Sequence, residues 1–149
     1  VKESKKDIKF IVAGSGAMEN QSKETELLYP SRFKFLGRIE NKKLPLYYSA
    51  ADILIVPSTV DEGWGFVVME AVACGTPVVV SNVGGLSDVT SPRIGVIVPV
   101  EMKSFKNAIE SFCINNKKLA ELQGYCRQYA LDNFGDTNVD EIIKFYEAG

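Results

Sequence analysis

Short apolar runs alternate along this chain with stretches of helical spacing, and that alternation predicts most of its elements. An apolar run at residues 8–13 reads as a strand ending in Gly14-Ser15-Gly16, with a helix over 19–28 after it. A second strand spans 33–36 and closes at Gly37. Asn41 is placed to cap a helix through about Ala50, with Leu44, Leu46, Tyr47 and Tyr48 as its bulky apolar residues. The unbroken β-rich run at 52–57 reads as a fully buried strand. A helix over 65–74 follows and stops at Gly75, with Thr76-Pro77 beyond it. A strand at 78–80, a loop and short helix from Gly84-Gly85, and a strand at 94–98 ended by Pro99 complete the alternation. Helices over about 103–115, 117–133 and 138–148 close the chain.

Strands separated by helices of about ten residues predict an α/β fold: a Rossmann-like parallel sheet with helices on both faces. At 149 residues this is one domain, and no linker or repeat divides it. In such sheets ligands sit beyond the carboxyl ends of the strands. That rule selects Gly14–Gly16, Gly37–Arg38, the loop from Ser58 to Gly65, and the segment 81–85.

One polar position interrupts the pattern. From Phe66 to Cys74 every residue except Glu70 is apolar, so the helix is expected to be buried with a carboxylate inside it. An ionised carboxylate there needs a partner, since burial alone costs several kcal/mol. Glu62 lies eight residues earlier, before the Gly63-Trp64-Gly65 opening of the helix. The first free amides of that helix suit a phosphate. Glu70 shares a face with Phe66 and leans back toward the helix mouth, where it can accept from paired ribose hydroxyls. Its alternatives are an ion pair with an Arg such as Arg38 or Arg93, or a place on the exposed edge of the helix. Glu62 either holds sugar hydroxyls and stabilises positive charge developing on a sugar carbon, or serves only as a cap. Trp64 either walls a sugar pocket or packs the loop, Arg38 either meets a ligand or marks an exposed strand end, and Gly14–Gly16 lacks the third glycine of a dinucleotide fingerprint. Tyr47 and Tyr48 are read as helix packing, and Asp52 as structural.

Composition narrows the chemistry. Seventeen basic and nineteen acidic residues are mixed along the chain, giving a net charge of −2 and no case for nucleic-acid binding. The chain contains no histidine, and Cys74, Cys113 and Cys126 lack metal-ligand spacing. Neither an ordinary zinc site nor a histidine-dependent nucleophile is expected. The cysteines read as reduced core residues of a cytoplasmic protein, with no signal peptide and no apolar run of transmembrane length. No Asp-X-Asp motif is present, so no metal clamp is expected.

The run Ala51-Asp52-Ile-Leu-Ile-Val-Pro57-Ser58, then Glu62-Gly-Trp-Gly-Phe-Val-Val-Met-Glu70-Ala, Cys74-Gly-Thr-Pro-Val-Val and Asn82-Val-Gly-Gly85, resembles the nucleotide-sugar-binding domain of the family 4 retaining glycosyltransferases, which have the GT-B fold. Glu62 and Glu70 match that family's E-x7-E pattern, and the resemblance covers roughly residues 8–147. It implies the C-terminal half of a GT-B enzyme, which transfers a hexose from a nucleotide-diphosphate sugar to a saccharide or lipid-linked acceptor. Glu70 would bind the ribose, Glu62 the donor sugar and its reacting carbon, and the amides of Gly65, Phe66 and Val67 the sugar and distal phosphate. Gly37 and Arg38 would lie beside the base, and Gly14 and Gly16 would face the phosphates or an interdomain cleft. No cofactor or metal is implied. The chain is expected to lack the N-terminal acceptor domain and the upstream Arg and Lys that neutralise the leaving diphosphate, and so to turn over little by itself. Trp64 stands where the family more often has Phe. A non-catalytic nucleotide-sugar sensor or subunit is the alternative reading, and peripheral association with the inner membrane face is expected only through the other domain.

Overall fold

The computed structural model describes residues 8–60 and 63–135. Its contacts divide the chain into two units, Val1–Leu44 and Pro45–Gly149.

In the first unit, β1 (Phe10–Ala13) pairs in parallel with β2 (Phe33–Gly37), joined by α1 (Glu19–Leu28). The Glu26 carboxylate on α1 accepts from Lys34 Nζ and from the Phe35 amide at 3.2 Å, tying the helix to β2. The Lys34 hydrogen bond, then that of the Phe35 amide, holds the Glu26 carboxyl below its usual range. A 3-10 turn at Asn41–Lys43 leads into α2 (Leu44–Ala50). The expected helix start is therefore corrected. Glu40, in extended backbone, occupies the cap position, and Asn41 lies inside the turn.

In the second unit, β3 (Leu54–Val56), β4 (Val78–Ser81) and β5 (Gly95–Val98) form a parallel sheet in that order. Leu54 pairs with Val78 and Val78 with Gly95. The backbone hydrogen bonds thus form a pair and a triplet of strands, where one continuous sheet was expected. The outer strand β3 is shorter than the 52–57 run and only half-buried before Val56. A ladder extends only as far as a partner strand continues, so an apolar run overstates strand length.

β4 is buried at every position and sorts its side chains by alternation. Val78 and Val80 pack with Val68, Ala71 and Val72 of α3 (Phe66–Ala73), Leu86 of α4 (Gly85–Val89), and Cys126 and Ala130 of α6 (Asn116–Phe134). Val79 packs on the opposite side with Val98, with Ala108 and Phe112 of α5 (Met102–Ile114), and with Leu122 of α6. Helices therefore cover both faces of this sheet. Each buried valine contributes about 1.5–3 kcal/mol of transfer free energy. The helix expected at 138–148 lies outside the described residues.

Candidate functional site

The carboxyl ends of β3 and β4 are fixed by one buried hydroxyl. Ser81 Oγ is 2.7 Å from the Ser58 carbonyl oxygen and 3.2 Å from that of Val56, so β4 holds the loop that leaves β3. Nearby, Ser87 Oγ donates to Asn82 Oδ1 at 2.8 Å. These strand ends are where the sequence places a ligand.

The loop from Ser58 reaches α3 through Gly65, which is buried and left-handed (φ +58°, ψ +41°). A Cβ at Gly65 would stand 3.2 Å from both Leu86 Cδ2 and Val89 Cγ2. The left-handed backbone favours glycine, and a side chain there would also crowd Leu86 and Val89. The amides of Val68 and Met69 donate to the Gly65 carbonyl at 2.8 and 3.3 Å, and the cap residue, a glycine, has no side chain to offer. Helix geometry leaves the amides of Phe66 and Val67 without an intrahelical acceptor. Together with the helix dipole they form a positive end suited to an anion.

The expected burial of Glu70 is corrected. Val68, Ala71 and Val72 form the buried face of α3, whereas Phe66, Val67 and Glu70 face outward, with Phe66 67% exposed. The reason is geometric: α4, α6 and the sheet cover one side of this short helix, and Glu70 lies on the other. The same periodicity keeps Phe66 and Glu70 on one face, as expected.

The partner of Glu70 is Tyr48, whose hydroxyl donates to Oε2 at 2.8 Å. The alternative of an ion pair with Arg93 is not seen; that guanidinium lies 5.2 Å from the ring centroid of Tyr125, and Glu70 lies on the exposed side of α3, the other alternative. Tyr48 is half-buried against the core, and its carbonyl accepts from the buried Thr76 Oγ1 at 2.6 Å. Burial, followed by the hydrogen bond to Glu70 and that residue's charge, pushes the Tyr48 hydroxyl well above the usual tyrosine range. Reading Tyr48 as packing alone missed this role. Twenty-two residues separate the pair, so no local spacing signals it.

The other candidates divide between the two units. Gly14 (φ +134°) donates its amide to the carbonyl of Gly37 (φ +62°) at 2.7 Å, bringing those two together in the first unit. Gly16 accepts from the Glu19 amide at 3.1 Å, and Arg38 follows β2 in the same unit. Ser58, Gly63, Trp64, Gly65, Phe66, Val67 and Glu70 belong to the second. Glu62 lies outside the described residues. Trp64 is 71% exposed and borders a cavity of about 590 Å³ with Gly63, Met69, Gly85, Asp88 and Tyr129. Glu70 does not line that cavity. Among the described residues no cluster of three or more Cys, Asp or Glu is placed to hold a metal, and no helix is long and apolar enough to cross a membrane.

Residues 1–130 match the family model described as glycosyl transferases group 1. The chain belongs to that family. As a group 1 glycosyl transferase it is 40% identical over 91 residues to an uncharacterized glycosyltransferase of Methanocaldococcus jannaschii, covering 60% of this chain and 23% of that protein. It is 30% identical over 152 residues to a D-inositol 3-phosphate glycosyltransferase of Gordonia bronchialis, covering 96% of this chain and 33% of the relative. The chain thus spans a third or less of the length of these relatives. Among solved structures it resembles Anabaena Alr3699/HepE in complex with UDP, with TM-score 0.79, 25% identity, and coverage of 95% of this chain and 41% of that one. The Rossmann-like α/β expectation is met: this glycosyl transferase has parallel strands flanked by helices, matching structures of GT-B glycosyltransferases.

Proposed function

We propose that this chain is the donor-binding, C-terminal half of a family 4 retaining hexosyltransferase. The observation that carries the reading is the outward face of α3, which presents the Glu70 carboxylate one turn beyond the first amides of the helix, those of Phe66 and Val67. A diphosphate at those amides and a ribose at Glu70 are two parts of one nucleotide-diphosphate sugar, and the likeness to Anabaena Alr3699/HepE, solved in complex with UDP, supports the same ligand class. Glu70 accepts hydrogen bonds from the ribose diol, which strengthen because the acceptor is ionised. The α3 amides take negative charge as the diphosphate departs, the role a cation serves elsewhere. Glu62 holds the donor sugar and Trp64 walls its pocket. A saccharide or lipid-linked acceptor reaches the sugar from a separate domain, which also carries any association with the inner membrane face of the cytoplasm.

The test is ligand-observed NMR with UDP-, GDP- and ADP-sugars, with Glu70→Ala as the control. One nucleotide class is expected to bind, and Glu70→Ala to weaken it about tenfold to a hundredfold, the loss of a hydrogen-bonded charge. Equal binding by the variant would overturn the assignment of Glu70.

A further inference from the structure

We infer that Tyr48 is the positioning residue for the ribose-binding carboxylate: its hydroxyl occupies Glu70 Oε2 and leaves Oε1 turned toward the ligand. The inference rests on the proposed role of Glu70 and adds a residue to that site. An exposed glutamate at the surface of a helix samples several rotamers, and fixing one costs side-chain entropy on binding. Here that cost is met before the ligand arrives. The 2.8 Å hydrogen bond ties one carboxylate oxygen to a ring packed on the core. The backbone behind the ring is held in turn by Thr76 Oγ1, 2.6 Å from the Tyr48 carbonyl, and Thr76 is 1% exposed. Thr76 is itself set by the turn that ends α3, where Gly75 has φ +86° and the Thr76 amide donates to Ala71 at 2.9 Å. The carboxylate is thus braced from the same helix that carries it, by way of α2. The raised proton affinity of the Tyr48 hydroxyl keeps it a donor across the physiological range. With Oε2 engaged, the unshared oxygen has two acceptor positions, which match the two hydroxyls of a cis diol.

The experiment measures affinities of the full-length protein for UDP, GDP and ADP and for their 2′,3′-dideoxy counterparts, in wild type, Tyr48→Phe, Glu70→Ala and the double variant. The quantity read is the ratio of ribo to dideoxy affinity, which a general loss of folding leaves unchanged. Wild type is expected to prefer the ribonucleotide. Tyr48→Phe keeps the packed ring and is expected to cut that preference about tenfold, the worth of a hydrogen bond to a charged group. On the Glu70→Ala background the same substitution is expected to change nothing, because its only route to the ligand is gone. Full preference in Tyr48→Phe, with the preference lost in Glu70→Ala, would overturn the positioning role and leave the Glu70 assignment standing. A preference that survives in Glu70→Ala would overturn both.

Discussion

Ser81 Oγ lies 2.7 Å from the carbonyl oxygen of Ser58, so a hydroxyl buried at the end of β4 fixes the first turn of the loop leaving β3. Ser58 opens the segment that precedes α3 in the sequence. Ser81→Ala removes the donor and leaves the carbonyls of Val56 and Ser58 without it. Leaving a buried group unsatisfied costs about 1–3 kcal/mol, so the variant is expected to unfold at correspondingly lower urea. Amide exchange at residues 58–60 is expected to speed up more than exchange in β5. Uniform acceleration throughout the second unit would show that the hydroxyl stabilises the fold without ordering the loop.

Gly65→Ala tests the helix mouth directly. A left-handed residue with a side chain costs about 1–2 kcal/mol, and the new methyl must also displace Leu86 and Val89. A drop of about 2 kcal/mol in unfolding free energy is expected, which is roughly 5 °C in Tm for a chain of this size. Nucleotide affinity is expected to fall with it, since α3 moves relative to α4. An unchanged Tm would mean that the backbone at this position relaxes without strain.

Stability is expected to decline in alkali, and the sign follows from two groups. Burial pushes the Cys126 thiol up from 9.0 to about 12, and the Tyr48 hydroxyl is also raised. Both remain protonated in the native state at pH values where the unfolded chain has released the proton. Their stabilisation is therefore complete below the unfolded values and is lost as pH climbs from about 9 toward 12. A single such group contributes a slope of up to about 1.4 kcal/mol per pH unit. Urea midpoints from pH 7.5 to 10.5 should fall less steeply in Cys126→Ala than in wild type; parallel slopes would refute the assignment to Cys126.

Much of this arrangement was legible in the sequence, for identifiable reasons. The unbroken Val78–Val80 run reads as a strand covered on both sides, and it is one. Helical spacing places Phe66 and Glu70 on one face without any knowledge of what packs nearby. What spacing cannot decide is which face turns inward. In α3 nearly every residue is apolar, so composition carries no contrast between Val68 and Val67, and only the packing of α4 and α6 separates them. The partner of Glu70 was invisible for a related reason. Tyr48 has the apolar ring that packing demands, and its hydroxyl acquires a role only when α2 is brought against α3. Asn41 shows the limit of local rules: a residue suited to capping lies one position inside the turn that Glu40 opens.

Positions 63 to 65 differ sharply in what they tolerate. Gly65 has a left-handed backbone and a Cβ there would crowd Leu86 and Val89 at 3.2 Å, whereas a Cβ at Gly63 meets nothing within 4 Å and Trp64 is 71% exposed. A mutant library aimed at the proposed sugar pocket should hold 65 constant and diversify 63 and 64. Variation there alters the lining of the mouth without disturbing the hinge on which it is hung.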